Sequence, residues 1–338
     1  MTARLFDYPF EDLRHPSHSI IDSTKIKNYM ACPRKYFFEY VLGWRPMTGS
    51  IHLEFGKAMH VAMEELARGR IREGRMHYTD EDAARGVMEF SKIFNSYLEN
   101  SGKSEDECDP KNTQGMMHML AVYIDTYQRE NYMPLHVEIS GSVPIGTTPD
   151  GEDKRIFFRL DEIGVNEKGD HLVVDHKTAS QDSASWDAQW RVNTQMGTYT
   201  HLLHSIYGDK VDCVVVNGLI FRKNTKTGKG CGVKRLPIHL EKLAMQSWLE
   251  NVQFHYDEIM RNTELFFSDQ DKPNVMRAFP QRETACTDYG SVCPYIQYCE
   301  YYANPIRHID PLLPDTHFQR SFWDPRDLDT NTTTKVTV

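Results

Sequence analysis

The sequence Phe158-Arg159-Leu160-Asp161 is followed, fourteen residues after its acid, by Asp175-His176-Lys177-Thr178. Between them runs an alternating segment, Glu162 to Val174, interrupted by Asn166-Glu167-Lys168-Gly169-Asp170. That interruption has the polar, glycine-containing composition of a hairpin loop. Paired residues of an antiparallel hairpin have numbers with a constant sum. Asp161 and Asp175 sum to 336, which centres the turn on Lys168. The spacing therefore predicts two carboxylates directly opposite each other, with Cβ atoms roughly 4.5–5.5 Å apart. Like charges so placed repel unless a cation lies between them. Lys177 shares the face of Asp175, because strand side chains alternate with period two. Two facing acids and a lysine, in strands rich in Val, Ile and Phe, have the makings of a divalent-metal site with an ammonium beside it.

Working outward, the segment Ser23 to Leu42 reads as a helix stopped by Gly43, and residues 53–72 as a second helix. On the second, Gly56 and His60 lie one turn apart and share a face. Helices near 80–100 and 114–130 complete a helical insertion over 53–130. Strands are expected near 135–145, 155–165, 171–178, 211–222 and 232–239, with helices over 186–207 and 241–261. Gln195 and Tyr199, four apart on the helix after the hairpin, share a face. Residues 1–22 read as a lead-in, 23–314 as the main domain, 265–314 as its cysteine-rich closing part, and 315–338 as a disordered tail.

The chain has 338 residues, 40% of them hydrophobic, and a net charge of −9. Such a chain can bury a large core. No apolar run approaches the ~20 residues that span a bilayer, so no membrane contact is expected. The polar start is unlike a secretory leader, which points to the cytoplasm, or the host cytoplasm if phage-encoded. Two local basic runs stand out against the acidic total: +4 over residues 25–45 and +6 over 222–235. Charge runs are often only solvated faces, yet two of them in an acidic chain suggest a polyanionic partner. Arg34, Lys35, Arg191, Arg222 and Lys223 are the candidate contacts.

Mg²⁺ and Mn²⁺ prefer oxygen ligands, which Asp161 and Asp175 supply. The His176 backbone carbonyl offers a third oxygen and His60 a nitrogen. Lys177 is then placed to orient a water nucleophile or to stabilise charge on a phosphorus transition state. Seven cysteines occur, an odd number that argues against a disulfide framework. Cys286, Cys293 and Cys299 are clustered, and Cys32 lies far upstream. Four thiolates bind zinc or an iron–sulfur cluster, and their spacing does not choose between the two.

Asp161, Asp175-x-Lys177 and Gln195-x-x-x-Tyr199, preceded by Gly56-x-x-x-His60, resemble the RecB-like branch of the PD-(D/E)XK nucleases. The resemblance covers roughly residues 20–300. It implies a restriction-endonuclease-like α/β core, a mixed central sheet flanked by helices. It implies Mg²⁺ or Mn²⁺ held by His60, Asp161, Asp175 and His176, with Lys177, Asp161 and Asp175 catalytic. Gln195 and Tyr199 would help to hold DNA, and Glu138 would be the extra acid of some members. CRISPR-associated iron–sulfur exonucleases carry one cysteine before the core and three after it. That likeness implies a 4Fe-4S staple on Cys32, Cys286, Cys293 and Cys299, with Zn²⁺ the alternative; the first gap of the C-terminal trio is wider than the family's usual one. The expected activity is an exonuclease on single-stranded DNA ends, in recombination, repair or phage and CRISPR DNA processing, with a protein partner in such a complex. The rival expectations are an inactive DNA-end-binding adaptor of the same fold and a zinc-containing DNA-binding protein.

Overall fold

A computed structural model describes residues 13–47, 49–223, 230–268, 274–288, 291–325 and 334–337. In chain order the elements are α1 (Ser23–Ala31), α2 (Pro33–Tyr36), β1 (Trp44–Pro46), α3 (Ile51–Glu73), α4 (Asp80–Ser101), α5 (Thr113–Thr126), β2 (Tyr132–Thr147), β3 (Asp153–Asn166), β4 (His171–Ala179), α6 (Ala184–Arg191), α7 (Thr194–Tyr207), β5 (Val211–Ile220), β6 (Gly232–Ile238), α8 (Lys242–Ser268), α9 (Ile296–Tyr301), β7 (Phe318–Arg320) and β8 (Thr334–Thr337). Two expected helices are each broken once. Cys32 is extended (φ −159°, ψ 111°) because Pro33 follows it, and a residue before proline is pushed out of the helical region. Asn193 divides α6 from α7; its side chain accepts from the Gln195 N–H and caps the second helix.

The chain forms two compact units, one of residues 1–48, 144–157 and 246–327, the other of 49–143, 158–245 and 328–338. The second holds most of a mixed sheet of order β6-β5-β4-β3-β2-β8. Strands β3 and β4 pair antiparallel through Glu162↔Val174, Ile163↔Val173, Gly164↔Leu172 and Val165↔His171. Each pair sums to 336, the register read from the loop. Strand β5 runs parallel to β4, as a connection through helices requires, and β6 returns antiparallel. Helices α3, α4 and α5 build one apolar core with the end of β5, in which Phe55 meets Phe90, Phe94 and Phe221 at ring distances of 4.8–5.7 Å. Helices α3 and α4 approach closely at Gly69, where a Cβ would fall 1.8 Å from Asp82 Oδ1. Asp82 is fully buried, caps with Thr79, and receives Arg75 at 2.5 Å and Arg85 at 2.6 Å.

In the first unit Phe38 stacks on Tyr295 at 4.9 Å, and Trp44 lies 5.8 Å from Phe318. Residues 315–325 do not form the disordered tail expected of them. Phe318 is an apolar side chain with a place in this aromatic cluster, β7 pairs with β1, and Trp323 Nε1 donates to Asp22 Oδ2 at 2.6 Å. Residues 326–333 of that expected tail lie outside the described residues, as do Lys226 and Lys229 of the second basic run. Among the described residues no helix is long and apolar enough to cross a membrane.

Candidate active site and a cysteine cavity

Strand alternation and the hairpin register bring Asp161, Asp175 and Lys177 together, and α3 lays His60 across them. His60 Nδ1 lies 3.0 Å from Asp161 Oδ1, and the backbone N–H of His176 donates to Asp161 Oδ2 at 2.7 Å. Lys177 Nζ lies 2.7 Å from Asp175 Oδ2. Asp175 is 1% exposed. On α3 Gly56 faces Thr178 of β4; a Cβ there would stand 3.5 Å from the Thr178 hydroxyl, an ordinary contact.

The electrostatics divide the two acids. Burial alone would raise Asp161, but His60, through charge and hydrogen bond, holds it well below the usual carboxylate range. Asp175 is pushed up, first by burial and then by the Asp161 charge, with Lys177 opposing. Among the described residues the donor atoms of His60, Asp161 and Asp175 do not all come within 4.8 Å of one another, and the Lys177 ammonium lies against Asp175. The acids nonetheless suit a hard divalent ion, which takes one or two carboxylates and completes its shell with water and phosphate.

The His176 ring packs edge-on against that of His60, with centroids 6.2 Å apart, and Asn217 Nδ2 lies 2.8 Å from its Nδ1 in the core. Burial pushes its imidazole down to about 4. Its backbone N–H is the part that hydrogen-bonds Asp161. Asn217, opposite His176 on β5, was not singled out from the sequence. Its signal is a lone amide in the apolar run Val214-Val215-Val216-Asn217. Arg235, part of the second basic run, reaches Asn217 Oδ1 at 3.5 Å and grips Glu130 through both terminal nitrogens at 2.5 Å.

Gln195 and Tyr199 do lie together. Gln195 Nε2 donates to the Tyr199 hydroxyl at 2.7 Å, and that hydroxyl donates to the Arg159 carbonyl at 2.7 Å. Tyr199 is 2% exposed, so it meets strand β3 and not solvent. Trp190, at the end of α6, lies 5.8 Å from Lys177 Nζ. Glu138 pairs with Arg159 at 2.7 Å and holds a left-handed φ of +49° within β2, an uncommon conformation for a side-chain-bearing residue. Burial raises its carboxyl, and the Asp161 charge adds to the rise.

Of the other candidate cations, Arg191 and Lys223 are exposed, Lys35 lies 3.8 Å from Glu39, and Arg222 lies 3.7 Å from Asp182. Arg34 is 3% exposed, which corrects its assignment as a DNA contact. Its Nε donates to the Phe279 carbonyl at 2.9 Å, inside the first unit. The helical turn after Pro33 is what points it inward.

In the same unit a cavity of about 600 Å³ is lined by Cys32, Cys286, Cys293 and Cys299, with Lys35 and Arg282. Burial pushes the Cys299 thiol up to about 11, against the neighbouring Arg34 charge. All four cysteines are free thiols. Arg34 Nη1 is buried without a hydrogen-bond partner. Arg34 lies near Cys32 and Cys299, and a buried, half-satisfied guanidinium there suits anionic neighbours.

A mixed sheet with an acid, an acid-x-lysine and a helical histidine at one place belongs to the class of metal-dependent nucleases. The chain belongs to the PD-(D/E)XK nuclease superfamily, whose description matches residues 23–300. Members are hydrolases that generally use Mg²⁺ or Mn²⁺, with DNA as the implied substrate. No curated protein matches the chain. Among solved structures it is similar to the crystal structure of SSO0001, with 14% identity, coverage of 58% of this chain and 73% of that one, and a TM-score of 0.26.

Proposed function

We propose that the protein is an exonuclease that trims single-stranded DNA ends, with a 4Fe-4S cluster as a structural staple. The observation that carries the catalytic reading is the continuous set His60–Asp161 at 3.0 Å and Asp175–Lys177 at 2.7 Å on paired strands. Asp161 and Asp175 are the residues that hold the metal, with His60 beside them and the His176 carbonyl as a further oxygen. Bound Mg²⁺ or Mn²⁺ supplies charge to the phosphate and acidifies the attacking water. Lys177 leaves Asp175 to orient that water and to balance charge on the transition state. Tyr199 and Gln195 act through the backbone of β3, fixing where Asp161 stands. Trp190, next to Lys177, offers an aromatic face on which an unpaired base stacks, which supports a single-stranded substrate. Exposed Arg191 and Lys223 contact the phosphate backbone.

The cluster reading rests on the cavity. Tetrahedral zinc, with Zn–S bonds of about 2.3 Å, needs sulfurs about 3.8 Å apart. No three of the four thiols meet within 4.8 Å, so the room they enclose favours the larger group. The free cysteines support a reducing cytoplasm. Digestion of 5′- and 3′-labelled single- and double-stranded DNA, with and without Mn²⁺, tests the activity. Metal-dependent release of short products from single strands is expected. Binding without cleavage would favour the end-binding adaptor, and a colourless protein holding one zinc would favour the zinc alternative.

A further inference from the structure

We propose that Asp212, Cys213 and His239 form a second, zinc-selective metal site at the end of β5 and β6, away from the catalytic acids. The carboxylate, thiol and imidazole offer ligand atoms that all lie within 4.8 Å of one another. Asp212 and Cys213 are neighbours on a strand, and neighbours ordinarily point to opposite faces. Here β5 has a bulge. His171 pairs with Val211, but Val173 pairs with Val214, so Asp212 and Cys213 together face the single residue Leu172. An extra residue of this kind re-aims side chains. His239 arrives from the other side. Val214 pairs with Ile238, and one step further the antiparallel register sets Cys213 opposite His239.

The ligands are also supported from behind. Asn166, in the β3–β4 turn, accepts from the backbone N–H groups of Lys168 at 2.9 Å and Asp170 at 3.0 Å. Its amide is thereby fixed, and its Nδ2 donates to Asp212 Oδ2 at 2.9 Å. Partners of this kind orient metal ligands. All three ligands border a cavity of about 280 Å³, together with Asn166, Tyr132 and Arg235.

One sulfur, one nitrogen and one oxygen make a donor set for zinc and not for Mg²⁺ or Mn²⁺, which prefer oxygen alone. Tetrahedral zinc wants its ligand atoms roughly 3.3–3.8 Å apart, so the three close in by about an ångström. Burial and the Asp212 charge push the Cys213 thiol up to about 12, so metal binding releases its proton. Three protein ligands leave a fourth position toward the cavity. The catalytic Asp175 pairs with Val216, three residues beyond Cys213, roughly 10 Å along the strand. The ion would clip the edge strand β6 to β5 and, through Asn166, to the β3–β4 turn.

The test uses full-length protein stripped with a chelator and titrated with Co²⁺, read by thiolate-to-cobalt absorption. The Cys32 group is intact in every variant and cancels in the difference. Cys213→Ser is expected to lose one thiolate's absorption, and Asn166→Ala to bind 10–100-fold more weakly. His239→Asn, at an exposed ring, should lose the rise in melting temperature that Zn²⁺ gives the wild type, and it serves if Cys213→Ser fails to fold. Cobalt spectra and affinities of Cys213→Ser or His239→Asn identical to wild type would overturn the site.

Discussion

The Tyr199 hydroxyl donates to the Arg159 carbonyl, two residues before Asp161, and so ties α7 to the strand that carries the first acid of the candidate site. A buried tyrosine used this way sets position without touching substrate. Tyr199→Phe should cost about 0.5–1.5 kcal/mol of stability. It should lower kcat while leaving KM for a single strand little changed. A rise in KM at constant kcat would show direct contact with DNA.

Lys177→Ala should reduce cleavage by roughly 10²–10⁴-fold while binding to labelled single strands persists. The assay is paired with a gel-shift measurement at the same Mn²⁺ concentration. Full cleavage by this variant would sink the mechanism.

Asp82 gives a pH dependence of stability. Burial alone would raise it, but Arg75, Thr79 and Arg85 bring it down to about 2, from an ordinary 3.8. A carboxyl lowered on folding stabilises above its unfolded value, and that contribution disappears as pH falls through the folded one. Asp82→Asn should therefore cost about 1–3 kcal/mol at pH 7. The gap from wild type, followed by melting temperature, should close between about pH 4 and about pH 2. A gap that stays constant over that range would rule out a charge effect.

On the proposal that the four cysteines hold a 4Fe-4S cluster, Cys293→Ala should give a colourless protein, since one of the four proposed ligands is gone. Arg34→Gln should keep the colour but shift the proposed cluster's reduction potential to more negative values, because a buried positive charge favours the reduced, more anionic form. A potential unchanged in Arg34→Gln would place the guanidinium outside the cluster's field.

Much of the geometry of the candidate site was legible because it depends on local rules. A polar, glycine-containing loop fixes a hairpin register, the register fixes which acids face each other, and period two puts Lys177 beside them. His60 was legible from its helical spacing to Gly56. What was not legible depends on burial. Arg34 and Lys35 are adjacent cations, and the sequence does not distinguish the one that turns toward Phe279 from the one at the surface. Tyr199 reads equally well as a substrate contact or a strand prop. The extra residue at Asp212 and Cys213 appears only when β5 is matched against β4. Phe318 and Trp323 sit in a polar-looking tail, yet each has a partner that lies far away in the chain.

The pairing of Trp44–Pro46 with Phe318–Arg320 sets an order of events during synthesis. The first strand leaves the ribosome about 270 residues before its partner exists, together with the normally buried Phe37, Phe38 and Trp44. That early segment must travel as an uncovered apolar stretch until residues 318–320 have been made. Until then it offers a holding chaperone an exposed apolar surface.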